Sequence, residues 1–131
     1  MDHETSAREA WRVQRIQAEL VTGIDHLAHL GASVTIYGSA RLSETSRYYQ
    51  QAQALAERFA VAGIHVLTGG GPGIMEGANR GAFHKGAHSI GLNVELEHEQ
   101  HPNTYQDISL QFRYFFVRKL MFVKHALGFV V

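Results

Sequence analysis

The sequence predicts an α/β fold: a Rossmann-like, doubly wound parallel sheet with helices on both faces, preceded by a long N-terminal helix. Three observations carry this. Short β-type runs alternate with helical patterns along the chain, and the connections between them are brief. One apolar run, Ile64-His65-Val66-Leu67-Thr68, passes directly into Gly69-Gly70-Gly71-Pro72-Gly73 and then into a helical pattern from Ile74. Before the first strand, apolar residues recur at helical spacing over a long stretch.

Taken in order, residues from about Thr5 to Leu30 read as one helix. Val13, Ile16, Leu20, Ile24 and Leu27 form its apolar stripe, charged residues take the other faces, and Gly31 supplies the stop. This divides the chain into a helical arm, 1–32, and a nucleotide-binding domain, 33–131, expected to be incomplete at its C-terminal end. The arm serves either as a packing element or as an oligomer contact. Val34-Thr35-Ile36-Tyr37 is a strand that ends in Gly38-Ser39, where a backbone and a hydroxyl can meet a ligand. Ser46 to Ala62 is a helix with Tyr48, Ala52, Leu55, Ala56 and Phe59 on one face and Gly63 at its end. The helix opened by Ile74 runs to about Lys85, with Gly86 closing it. Ser89 to Asn93 is a strand; Val94 to Asp107, acidic and His-bearing around Pro102-Asn103, reads as a loop. Ile108 to Phe112 is a short strand, and Arg113 to His125 a helix with Phe116, Leu120 and Val123 spaced for burial. Gly128 to Val131 begins another strand.

The chain has 131 residues, enough for one domain with a sizeable core. Twelve basic and twelve acidic side chains balance, and neither sign forms a long block. A protein bound to nucleic acid or a membrane surface by bulk charge is therefore not expected. There is no cysteine, so disulfides and thiolate metal sites are excluded. The polar start Met1-Asp2-His3-Glu4 does not read as a signal peptide and no apolar run reaches membrane-spanning length, so a cytoplasmic location is expected.

The glycine-rich turn carries the chemistry. Four glycines in five positions let backbone N–H groups approach a ligand closely, and the following helix turns its positive end toward the same spot. The spacing is neither the dinucleotide fingerprint nor a Walker loop: Ile74 or Glu76 falls where the last glycine would stand, and no Gly-Lys-Ser/Thr follows. An NAD-dependent oxidoreductase is accordingly disfavoured, while a turn serving packing alone stays open. In doubly wound sheets ligands sit beyond the carboxyl ends of the strands, which places Gly38, Ser39, Gly69, Gly70, Gly71 and Gly73 at one edge.

From Gly69-Gly70-Gly71-Pro72-Gly73-Ile74-Met75-Glu76-Gly77-Ala78-Asn79-Arg80-Gly81-Ala82 the chain resembles the Lonely Guy (LOG) family. The likeness extends to Tyr37-Gly38-Ser39-Ala40-Arg41, Ile90-Gly91-Leu92-Asn93 and Phe112-Arg113-Tyr114-Phe115-Phe116-Val117-Arg118-Lys119, and is nearest the longer, "lysine decarboxylase-like" branch. The resemblance implies a phosphoribohydrolase that cleaves the N-glycosidic bond of a purine nucleoside 5′-monophosphate, including N6-substituted AMP, to free base and ribose 5-phosphate. It implies a homodimer or larger homo-oligomer, with the site near a subunit interface. The family's catalytic arginine falls on Arg118, with Lys119 beside it as a substrate contact. The chain stops before the family's Pro-Gly-Gly-x-Gly-Thr-x-x-Glu motif, whose glutamate is the other catalytic group, so weak binding and little or no turnover is the expectation for residues 1–131. A non-catalytic nucleotide-binding or assembly protein is the alternative.

The chemistry is consistent with that pattern. Glycosidic cleavage develops positive charge on the ribose, which a carboxylate stabilises, while a planar arginine fork holds phosphate or the departing base. Met75 and Glu76 are further substrate-contact candidates, although a carboxylate in a first helical turn is favoured electrostatically in any case. Glu99 is a candidate by position, although Leu96-Glu97-His98-Glu99-Gln100 departs from the proline-bearing form of that loop. Nine histidines suggest a metal, but neither His26 with His29 nor His98 with His101 has a third ligand at close spacing. No metal and no cofactor is expected. The aromatic group Phe112 to Phe116 reads as core or interface more readily than as a base-stacking platform.

Overall fold

The computed structural model describes residues 3–95 and 101–131. In chain order its elements are α1 (His3–Leu27), β1 (Ser33–Ile36), α2 (Arg47–Val61), β2 (His65–Thr68), α3 (Ile74–His84), β3 (Ser89–Val94), β4 (Ile108–Phe112), α4 (Phe115–His125) and β5 (Phe129–Val130). The strands form one parallel sheet in the order β4-β3-β2-β1-β5. From β1 the chain steps outward through β2, β3 and β4; α4 then returns it across the sheet to β5, on the other side of β1. The winding therefore reverses beside β1, the position where open α/β sheets form a ligand crevice.

Val34 lies opposite Val66, Leu67 opposite Ile90 and Leu92 opposite Leu110. β1, β2 and β3 are buried on both sides because both sides are covered, whereas the edge strand β4 exposes Ser109 and Gln111. On one face α1 and α4 pack over Leu67, Ile90, Leu92, Leu110 and Phe112. On the other α2 and α3 pack over Val34, Ile36 and Val66. The α2–α3 contact is very close: a Cβ at Gly77 would stand 2.7 Å from the Tyr49 carbonyl oxygen, and one at Gly81 would run into the Gln53 carbonyl. Ser46 caps α2, its Oγ accepting the Tyr48 N–H at 3.2 Å.

The doubly wound architecture and the long leading helix are as the sequence predicts, with three corrections of detail. First, the expected stripe of α1 is only half used. Leu27 is buried and Ile16 and Leu20 pack on the core, but Val13 and Ile24 are exposed. Reach explains Val13, which lies in the overhanging start of α1, whereas Ile24 lies in the half that packs and sits at the margin of the face formed by Ile16, Leu20, Gly23 and Leu27. Glu19 fastens that half, its carboxylate accepting the N–H groups of Arg113 (2.7 Å) and Tyr114 (3.3 Å). Second, in α2 the buried tyrosine is Tyr49, whereas Tyr48 is exposed. Third, Phe116, Leu120 and Val123 of α4 are exposed, and Val117, Met121 and Phe122 face the core instead. Apolar residues surround most of α4, so their spacing alone does not select a face. No helix among the described residues is long and apolar enough to cross a membrane.

Candidate functional site

The carboxyl ends of β1, β2 and β3 open onto a cleft of about 250 Å³. Tyr37 and Gly38 line it after β1, Gly69, Gly70 and Gly71 after β2, and Asn93 and Val94 at the end of β3. Met75 of α3, His101, and Phe115 and Arg118 of α4 complete the wall.

The glycine turn is held by its carbonyls. Gly69 O accepts from Arg118 Nη2 at 3.4 Å, Gly70 O from Asn103 N and Gln106 Nε2 at 2.9 Å each, and Gly71 O from Asn103 Nδ2 at 2.9 Å. In a trans peptide the N–H points opposite to the C=O, so anchoring Gly70 O turns the Gly71 N–H away from Asn103 and Gln106. The turn offers fewer amide donors than its glycine count suggests. Gly70 N–H already donates to Thr68 Oγ1 (2.9 Å), Pro72 has none, and Ile74 N–H donates to Ser39 O (3.0 Å). The amides still open to an anion include that of Gly71 and those of the first turn of α3. Glycine is required at Gly70, where φ is 79° and a Cβ would strike the Asn93 side chain, and at Gly73, where φ is 73° and a Cβ would strike the Ser39 carbonyl.

Behind the turn lies a buried polar network that sequence reasoning missed. Thr68 Oγ1 donates to Asn79 Oδ1 (2.5 Å), as does Asn103 Nδ2 (3.0 Å). Asn79 Nδ2 donates to Ser89 Oγ (2.9 Å) and Ile90 O (3.3 Å), and Ser89 Oγ donates to Asn79 O (2.8 Å). Asn103 Oδ1 accepts the Tyr105 N–H at 3.1 Å. Both side-chain amides are thereby satisfied, as burial demands. The available clue was Asn79, a polar residue between Ala78 and Ala82 on a helix face that otherwise packs.

Arg118 enters from α4. Its Nε donates to Leu92 O at 2.6 Å, and its guanidinium lies 5.2 Å from the centre of the Phe122 ring. Burial lowers its pKa and the nearby Tyr37 opposes that shift. An arginine stays charged under any such shift, so a fixed cation stands on the cleft wall. Gly69 makes room for it: a Cβ there would stand 2.6 Å from Arg118 Nη2 and 2.8 Å from Met75 Sδ.

The structure thus brings Gly38, Gly69, Gly70, Gly71, Met75 and Arg118 to one cleft. Other candidates lie elsewhere. Gly73 is the N-cap of α3, behind the turn. Ser39 accepts the Arg41 N–H through its Oγ (3.1 Å) and lines a separate hollow toward α2. Glu76 accepts the Tyr49 hydroxyl at 2.8 Å between α2 and α3. Burial, with Glu76 adding to it, pushes the Tyr49 pKa up to about 12 against the opposing pull of Arg80. Lys119 lines a hollow that adjoins the cleft through Tyr37, Phe115 and Arg118. Glu99 lies outside the described residues. Among the described residues no carboxylate lines the cleft, and no group of three His, Cys, Asp or Glu could hold a metal.

Comparison with known proteins places this geometry. No curated protein matches the chain. A structural-genomics X-ray structure, TM1055, superposes with a TM-score of 0.62 at 22% identity, covering 75% of this chain and 58% of its own. The molybdenum cofactor carrier protein MCP from Chlamydomonas reinhardtii superposes with the same TM-score and identity, covering 75% of this chain and 60% of its own. The chain therefore spans under two thirds of the length of either, and at this identity the likeness establishes the shared fold. The model of the SLOG cluster4 family matches residues 31–128, from within the connection after α1 to the residue before β5. With β1 to β4, the glycine turn and α4 inside that match, the chain belongs to the SLOG cluster4 family, within the LOG/SLOG superfamily.

Proposed function

We propose that the cleft binds a purine nucleoside 5′-monophosphate and that its reaction is hydrolysis of the N-glycosidic bond, giving free base and ribose 5-phosphate. The observation that carries this reading is Arg118, held by Leu92 O and Gly69 O beside the glycine turn. A phosphate there meets a fixed guanidinium, the Gly71 amide and the N-terminus of α3. Water attacks the anomeric carbon as the base departs with a proton, and the ribose passes through a cationic state that a carboxylate stabilises. A cytoplasmic location and a homo-oligomeric state go with this reading. The test is chromatographic detection of free base from AMP and from N6-isopentenyl AMP. Arg118→Ala should remove turnover and weaken binding at least tenfold; base release undiminished by that change would overturn the assignment.

A second reading is nucleotide binding without turnover. It is favoured by the absence of a carboxylate among the described residues of the cleft, and one structural neighbour is by its title a carrier. Saturable AMP binding with no base release at high protein concentration would select it.

A further inference from the structure

Asn93, next to last in β3, is only 5% exposed, yet it forms part of the cleft wall. Its surroundings fix the orientation of its amide. Nδ2 faces Ser109 Oγ (3.0 Å), Gln106 Oε1 (3.1 Å), Leu110 O (3.2 Å) and Gly91 O (3.3 Å). Three of these atoms only accept, so a reversed amide would set oxygen against oxygen. Gln106 is fixed in turn, because its Nε2 donates to Gly70 O. Oδ1 therefore points the other way, over Gly70, and it is the atom that a Cβ at Gly70 would strike first. Among the described residues no donor serves it. The Gly70 N–H is taken by Thr68 Oγ1, and Arg118 gives its Nε to Leu92 O and its Nη2 to Gly69 O. A nearly buried acceptor thus opens on the cleft beside the glycine turn.

We propose that Asn93 Oδ1 reads a sugar hydroxyl, so that the cleft prefers ribonucleotides to their deoxy counterparts. The inference rests on the nucleotide reading proposed above for this cleft. An unpaired buried acceptor is costly, so a ligand that fits must bring a donor to this point. An ionised phosphate carries acceptors only and is repelled there, so Asn93 bounds the anion subsite. The Gly71 amide follows Gly70 directly in the chain, so a phosphate on that amide stands next to Asn93. In a nucleoside 5′-monophosphate one methylene joins phosphate to sugar, and the first donors beyond it are the 2′- and 3′-hydroxyls. The exocyclic amine of adenine lies at the far end of the ligand. The missing Cβ of Gly70 is what leaves Oδ1 open to that hydroxyl.

Calorimetric titration of the 131-residue chain with AMP, 2′-deoxy-AMP and 3′-deoxy-AMP tests this. At least one deoxy analogue should bind tenfold or more weakly than AMP, since it leaves Oδ1 unpaired. Asn93→Leu, similar in size and without the acceptor, should bind AMP no better than that analogue and lose the discrimination. Equal affinity for all three ligands overturns the proposal, as does discrimination that survives in folded Asn93→Leu. The substitution also takes a partner from Gln106 and Ser109, so its fold is checked by circular dichroism. If it does not fold, the Asn93 side-chain amide signal of the parent in a nitrogen-edited NMR spectrum decides. That signal should move on saturation with AMP and stay in place with the weaker analogue; any other pattern overturns the proposal. Absence of AMP binding refutes the nucleotide reading itself, whereas AMP bound without regard to its hydroxyls refutes only the role of Asn93.

Discussion

Arg118 reaches the cleft because a glycine stands opposite it. In Gly69→Ala the new methyl meets only the flexible ends of Arg118 and Met75, so these side chains move and the fold gives little. Stability should change by less than about 1 kcal/mol in urea unfolding. AMP affinity measured by calorimetry should fall tenfold or more, because the guanidinium leaves its place. Asn103 offers the opposite balance. Its side chain donates to Gly71 O and Asn79 Oδ1, and its backbone N–H to Gly70 O. Asn103→Ala leaves the Gly71 carbonyl without its donor and takes one of two donors from Asn79 Oδ1, which keeps Thr68, and should cost about 1–3 kcal/mol. Nothing local marks this residue, which follows a proline in a stretch that reads as loop. Its partners come from β2's turn and from α3.

Close approach of elements is decided by what a new Cβ would meet. At Gly81 the obstacles are the Gln53 backbone carbonyl and the Ala56 methyl, 2.9 Å away, neither of which can swing aside. Gly81→Ala should therefore push α3 from α2 and lower stability by about 1–3 kcal/mol. At Gly23 the nearest atom is Met121 Sδ, 2.6 Å away, on a flexible thioether chain. Gly23→Ala should cost distinctly less, and thermal unfolding of the two variants side by side checks the ranking. Element types and order were legible from glycine stops and periodicity. The orientation of α4 was not, because Phe115, Phe116, Val117, Leu120, Met121, Phe122 and Val123 give it no polar side to turn outward.

For the whole molecule, the buried Tyr49 and the half-buried His125 make stability depend on pH. Burial, and then Lys124, lowers the His125 pKa below its ordinary 6.5, and its Nε2 has no hydrogen-bond partner. As pH falls below about 6.5 the unfolded chain binds that proton first, so stability declines toward acid. Tyr49 acts at the other end. Its pKa rises from 10.0 to about 12 in the fold. The unfolded chain loses the proton first, so this contribution, whole below pH 10, is lost as pH rises toward 12. His125→Gln should flatten the acid limb of the urea-midpoint profile and Tyr49→Phe the alkaline limb. Tyr49→Phe should also lower the whole curve by about 1–2 kcal/mol, for want of the Glu76 hydrogen bond.

The sequence by itself determined the alternation of strands and helices, the glycine turn between β2 and α3, and the motifs that resemble the LOG family. Each is written in neighbouring residues, where backbone freedom and the period of side chains act. Tertiary structure alone decided that Glu76 turns to Tyr49, that Ser39 braces α3, and that Asn103 pins the turn. It also decided which face of α4 carries Arg118 inward. These outcomes join residues distant in the chain: Asn103 with Gly71, Arg118 with Gly69, Glu19 with Tyr114. No local period encodes such a pairing, because it exists only once both surfaces have been brought together and dried.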